Sequence, residues 1–321
     1  MWLMVAIAAY LINAVVYVAD KFILSKKIHS SVVYAFFVSI WSVFNLALLP
    51  FAFWIPSGRE FGLDFLAGLL FLGTLIFWYK ALHQSEATRV VPVVGALVPI
   101  FSLFLAFIFL GQGIGKSQFV AFTVLVIGGA MISVRRTRFY YLSQWWARAR
   151  EIGGDFLGSI HSRYRPTRRL VLNSLIAAFF FAAYYVLAKH IFTTQPFIGA
   201  FVWSRIGTFA GALAILAVPK WREQIKEHQR GVKTPKNLLF FLLVRLAAAA
   251  AFIMLNWAIS LGNVALVSAL QGTQYLFLIL LVFFLSAQHP DYIKEEMGRG
   301  VLAQKFFGAL LVCLGLYLLL Y

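Results

Sequence analysis

The sequence predicts an all-α polytopic membrane protein, with ten transmembrane helices arranged as two inverted five-helix repeats. Three observations point there. First, 62% of the 321 residues are apolar and only 12% are charged, whereas a soluble domain runs near ~45–50% and ~25%. At roughly 20 residues per crossing, that stock supplies about ten spans. Second, the apolar residues lie in long continuous segments. Third, the two halves of the chain align with each other. The composition excludes a soluble enzyme, and the uniform runs exclude an outer-membrane barrel, whose strands alternate.

The apolar segments fall at 2–24, 31–54, 63–82, 88–110, 117–134, 170–192, 197–218, 237–260, 264–286 and 302–320. Met1 to Tyr10 lacks a basic leader and a small-residue cleavage site, so it reads as a retained first span. The single cysteine, Cys313, rules out a disulfide within the chain and a cysteine-based metal site. No metal site or cofactor is expected.

Charge sets the orientation. With ten spans, both termini share one face and the odd-numbered loops the other. Of 28 lysines and arginines, 23 gather at the odd-loop face, and only Arg59, Lys116 and Lys189 lie at the terminal face. Basic residues near span ends resist translocation, so the odd loops are expected in the cytoplasm of a multi-pass cell (plasma or inner) membrane protein, with both termini outside. The net charge of +17 thus reflects topology and anionic lipid rather than nucleic acid, for which no loop is long enough to form a module.

Residues 135–169 form a basic linker between the halves. Its apolar residues, among them Leu142, Trp145, Trp146, Ala149 and Ile152, recur at helical spacing. That spacing fits a helix lying in the interface, with Arg148, Arg150 and Arg163 on anionic headgroups. A linker whose aromatics pack on neighbouring spans is the other reading.

The halves repeat. Ala14, Tyr17, Val18, Lys21 and Ile23 align without gaps to Ala182, Tyr185, Val186, Lys189 and Ile191. Further along, Ser39 matches Ser204, Ala81 matches Ala258, Gly95 matches Gly272 and Gly129 matches Gly315. The pairs keep their order through all five helices. Repeats of odd span number are inverted across the membrane, and two such bundles can rock about a central site. The units are 1–134 and 170–321, joined by 135–169.

The run Trp78-Tyr79-Lys80-Ala81-Leu82, followed by Glu86-Ala87-Thr88-Arg89-Val90-Val91-Pro92, Pro99-Ile100-Phe101, Leu110-Gly111 and Gly128-Gly129, resembles the EamA-type members of the drug/metabolite transporter superfamily. The second half resembles them more weakly, through Asn256-Trp257-Ala258 and Gln304-Lys305-Phe306 with Gly308. The resemblance implies a ten-helix secondary transporter of small metabolites, with a central cavity lined by spans 1, 3, 4, 6, 8 and 9. Two departures stand out. Gln112 occupies the place after Leu-Gly where the family commonly carries an acid, so no carboxylate is assigned there. The family is also usually drawn with cytoplasmic termini, opposite to the charge count.

Ionisable residues within a membrane are costly and read as functional by default. Arg205 and Arg245 each lie about eight residues into a span, roughly 12 Å deep at ~1.5 Å per residue. Spans six to ten contain no Asp or Glu to neutralise them. An anionic solute group meeting the arginine fork is one reading; bonds to backbone carbonyls or to Ser204 and Thr208 are the other. Phe252 and Asn256 follow Arg245 at helical spacing. Gln271 with Tyr275, and Asn13 with Tyr17, form further polar and aromatic stripes that suit either a solute site or interhelical bonds.

Asp20, Lys21, Glu86 and Arg89 gather at the predicted cytoplasmic face, as a gate or as static exposed ion pairs. Pro92 and Pro99 flank Gly95 in span four, a combination that kinks a helix but also occurs for packing. An integral membrane enzyme would call for a zinc-binding His pair or a nucleophile elbow, and neither motif occurs. A receptor or scaffold without transport does not need the duplication. The reading is therefore not an enzyme but an exporter or exchanger of a small organic anion or amino-acid-like zwitterion. Its partners are the solute, membrane lipids including anionic headgroups, and, in the assembly this architecture admits, a second copy in a homodimer.

Overall fold

The computed structural model describes residues 1–23, 31–51, 54–84, 87–133, 168–231, 238–288 and 299–320, and among these every regular element is helical. The first half contributes α1 (Trp2–Ile23), α2 (Ser31–Ile40) with a 3-10 continuation (Trp41–Phe51), α3 (Gly58–Gln84), α4 (Ala87–Leu110) and α5 (Lys116–Ser133). The second contributes α6 (Arg168–Thr194), α7 (Phe197–Ile215), α8 (Pro219–Gly231), α9 (Leu238–Leu261), α10 (Val264–Ala269), α11 (Gln271–Gln288) and α12 (Arg299–Leu320). Eight helical segments are long and apolar enough to cross a membrane, counting Val264–Leu281 as one, and two shorter apolar helices run over Lys116–Ile132 and Gln304–Leu319.

Local chemistry explains where these helices differ from the expected segments. α3 starts at Gly58, earlier than the apolar pattern, because Ser57 and Glu60 form a capping box. The Ser57 amide donates to Glu60 Oε2 at 2.8 Å, and the Glu60 amide points back at Ser57 Oγ at 3.5 Å, satisfying two donors of the first turn. α4 runs as one helix through Pro92 and Pro99 and stops at Gly111, whose φ of 63° a residue without Cβ adopts freely.

Span nine is divided. Asn263 caps α10 by accepting from the amides of Ala265 at 2.9 Å and Leu266 at 3.4 Å, and the helix restarts as α11 at Gln271. The polar α8 had no counterpart among the expected spans. It docks through Trp221 and Ile225 onto a cluster that includes Val32, Val33 and Phe36 of α2. Most of the linker, residues 134–167, lies outside the described residues, and with it the expected interfacial helix.

Helix pairing follows a reciprocal pattern. α1 packs on α9, and α6 on α3; α1 packs on α11, and α6 on α4. α5 and α12 meet through small residues: a Cβ on Gly128 would lie 2.9 Å from Leu311 Cβ and one on Gly308 2.9 Å from the Ile132 amide, while Gly315 abuts Leu125. Close approach through glycine is how helices gain contact in lipid, where burial of apolar area supplies no driving force.

The same device seats α7 against α3. A Cβ on Gly68 would run into the backbone of Ser204, Gly207 and Thr208, and one on Gly207 would lie 2.6 Å from the carbonyl of Phe65. Thr208 Oγ1 also donates to the Gly68 carbonyl at 3.1 Å. This backbone contact fixes the register that builds the site below.

Candidate functional site

Arg205 on α7 is buried, with 3% of its surface exposed. Its guanidinium carbon lies 4.4 Å from the ring centroid of Phe71, 5.0 Å from Phe252, 5.3 Å from Tyr184 and 5.4 Å from Phe201. Four rings from α3, α6, α7 and α9 thus box the cation, each giving about 0.5–2 kcal/mol through the negative face of its π system. The rings also hold one another: Phe71 stands 5.2 Å from Tyr184 and 5.0 Å from Phe252.

A directed hydrogen-bond chain runs through the box. Arg205 Nη2 donates to the Tyr184 hydroxyl at 3.0 Å, which donates to Asn256 Oδ1 at 2.8 Å. Asn256 Nδ2 donates to the Phe252 carbonyl at 2.9 Å. Arg205 Nε approaches Ser204 Oγ at 3.4 Å. These bonds employ two of the five N–H donors of the guanidinium. Among the described residues no carboxylate is bonded to Arg205. A fully buried cation costs several kcal/mol in desolvation, and rings and hydroxyls offset only part of it.

The structure therefore brings Arg205 and Asn256 together and leaves Arg245 apart. Arg245 is partly buried on α9, about 16 Å along the helix from Asn256 at ~1.5 Å per residue. Arg245, Ala249, Phe252 and Asn256 share one face of the continuous α9, but Ala249 is exposed and the length of the helix keeps Arg245 out of the Arg205 box. Gln271 and Tyr275 are joined, Gln271 Nε2 to the Tyr275 hydroxyl at 3.3 Å, and that hydroxyl rests against Gly95 of α4. Asn13 is half-buried on α1, and Tyr17 is 38% exposed on the same helix. Glu86 and the side chains of Asp20, Lys21, Arg89 and Pro92 lie outside the described residues.

Two polar residues escaped the sequence reading. Tyr184, beside the Tyr185 that carries the repeat alignment, is the residue that links cation to amide. Asp64 falls at the start of span three, where a carboxylate passes for an interfacial group, yet it is completely buried. Lys189 is also buried; its Nζ donates to the Ser260 carbonyl at 2.8 Å, capping the last turn of α9, where cations are favoured.

No curated protein matches the chain. A solved crystal structure of a protein superposes on it with a TM-score of 0.63 at 14% identity, covering 98% of this chain and 97% of that one. At that identity the likeness speaks for the fold alone. Residues 1–134 match the model of the EamA-like transporter family. Those residues hold α1 to α5, so the first half of the chain is similar to the EamA-like transporter family, a family of membrane transporters.

Proposed function

We propose that the protein is a secondary transporter, an exporter or exchanger, of a small organic anion or amino-acid-like zwitterion, and that Arg205 receives the solute's anionic group. The observation that carries this reading is the Arg205 box: a buried guanidinium with donors to spare, held by rings from four helices and bonded to no carboxylate among the described residues. An incoming carboxylate or phosphate would meet a preset, desolvated fork, where charge-assisted bonds are strong. Tyr184 and Asn256 extend the site toward α9. Gln271 and Tyr275, Asn13 and Tyr17, and Arg245 are proposed as outer contacts along the solute's route, with Asp20, Lys21, Glu86 and Arg89 as a gate at the odd-loop face and Pro92 and Pro99 as a bend in α4.

Alternating access needs two related units. The reciprocal pairings of α1 with α9 and of α6 with α3 support an inverted repeat of 1–134 and 170–321, because the aligned spans exchange roles between the two contacts. Phe71 comes from the first unit and Arg205 from the second, so rocking of one against the other would open or close the box. The protein is proposed to sit in the cell membrane with both termini outside, its linker on anionic headgroups.

Proteoliposome flux over a panel of organic anions, zwitterionic amino acids and organic cations tests the reading. Anions or zwitterions are expected to exchange, and Arg205→Gln to abolish it while Arg245→Ala weakens it. Uptake confined to cations, or full activity in Arg205→Gln, would reject it.

A further inference from the structure

Asp64 has no exposed surface and sits on α3 one turn above Gly68, close to the turn that joins α6 to α7. Its partner is the amide of Gln195, itself 6% exposed. With its nitrogen turned toward Asp64, that amide donates to Oδ2 at 3.2 Å and Oδ1 at 3.0 Å. No cation is paired with the carboxyl among the described residues. On its own helix Glu60 lies one turn away, tied into the Ser57 cap. From α6, Lys189 is committed to the Ser260 carbonyl and His190 is exposed. From α7, Arg205 is held in its ring box. α2 brings no charged residue, and the only charged residue of α4, Arg89, belongs to the opposite end of the bundle.

A primary amide suits a carboxyl that changes protonation state. Its N–H₂ donates to a carboxylate, and after a half-turn its carbonyl accepts the O–H of the acid. Neither state leaves the carboxyl unpaired. A charged partner would have favoured one state only. Acids buried inside membrane helices mark proton relays in pumps and transporters.

We infer that Asp64 and Gln195 form a proton-binding site near the terminal-face end of α3. A proton from the aqueous side joins a carboxyl oxygen of Asp64, the charge there falls from −1 to zero, and the Gln195 amide turns over to accept the new O–H. Because Gln195 stands on the α6–α7 turn and Asp64 on α3, proton loading acts on the α3–α7 interface that also seats Phe71 beneath Arg205. The use of that proton to drive solute movement rests on the transporter reading; its binding does not.

The test reads the proton directly. Full-length protein in lipid nanodiscs is taken from mildly alkaline to mildly acidic buffer and followed by infrared difference spectroscopy. A protonated-carboxyl C=O band is expected on acidification. It should shift with ¹³C-labelled aspartate, vanish in Asp64→Asn and persist in Glu60→Gln. Should Asp64→Asn fail to fold, Gln195→Leu in labelled protein decides the matter, with the band retained but its proton affinity raised about tenfold, because the amide N–H bonds hold the carboxylate more strongly than the amide carbonyl holds the acid. A spectrum without an aspartate-derived band, a band that survives Asp64→Asn, or an unmoved titration in Gln195→Leu would each overturn the inference. All of these outcomes are independent of solute flux.

Discussion

The guanidinium of Arg205 lies 4.4 Å over the ring of Phe71, so a cation of α7 rests on a side chain of α3, contributed by the other half of the chain. The contact joins the two halves where the register of α3 against α7 is set by glycine. Its disruption should be felt both in stability and in solute handling.

Replacing Arg205 by lysine keeps the charge but removes the planar fork and its stacking on four rings. Such a change is not conservative at a stacked site. Anion exchange is expected to fall by at least about tenfold, equivalent to ~1.4 kcal/mol of binding, with proteoliposome flux at varied solute concentration as the measure. Retention of wild-type KM in Arg205→Lys would argue against direct contact.

Tyr184→Phe deletes the hydroxyl that accepts from Arg205 and donates to Asn256, and leaves the ring in the box. A buried acceptor bonded to a charge is worth about 1.5–3 kcal/mol. The variant should lose thermal stability in a detergent melt and raise the KM for anions, while Asn256→Ala, farther along the chain, should have the smaller effect on KM.

Gly207→Leu drives a side chain into the backbone of Phe65. Overpacking typically costs about 1–3 kcal/mol, and with backbone as the obstacle the upper end is expected. Gly62→Leu on the same helix pair meets nothing within 4 Å and should melt like the parent. Equal melting of the two variants would contradict the close α3–α7 crossing.

Ser57→Ala removes one side of the capping box on α3. The expected loss is about 0.5–2 kcal/mol, visible as an earlier onset of thermal unfolding, with Ser57→Asp restoring most of it because aspartate also caps.

Topology has its own test. Reporter fusions that are active only outside the cytoplasm should be active when attached at Met1 and at Tyr321, and inactive in the loops between α3 and α4 and between α7 and α9. The opposite pattern would mean that the distribution of lysine and arginine misreports orientation.

Much of the architecture was legible because span length and apolar composition are local properties. α1, α4 and α6 begin and end within a few residues of their apolar runs. α3 extends further because two polar residues cap it, a signal visible as Ser57-x-x-Glu60 but outside the apolar pattern. The start of span nine was written in Asn263, a good N-cap, but its division at Leu270, where Thr273 Oγ1 donates to the Leu270 carbonyl at 2.7 Å, has no such signal in an apolar run. The site was less legible. Arg205 announced itself as a charge in lipid, but its rings are Phe and Tyr in a chain with 33 and 13 of them, and nothing in sequence marks which Phe will face a cation. Asp64 was hidden by position: near a span end, a carboxylate can reach water, and only the packed structure shows it buried, with the Gln195 amide against it.

The 3-10 stretch Trp41–Phe51 is tied to the site, since Ser42 Oγ donates to the Arg205 carbonyl at 3.1 Å. Eleven residues rise about 22 Å in this geometry against ~16 Å in an α-helix. The segment is a drawn-out spring: rewinding it would shorten this strut by about a full helical turn and tug on α7 at the residue that bears the cation.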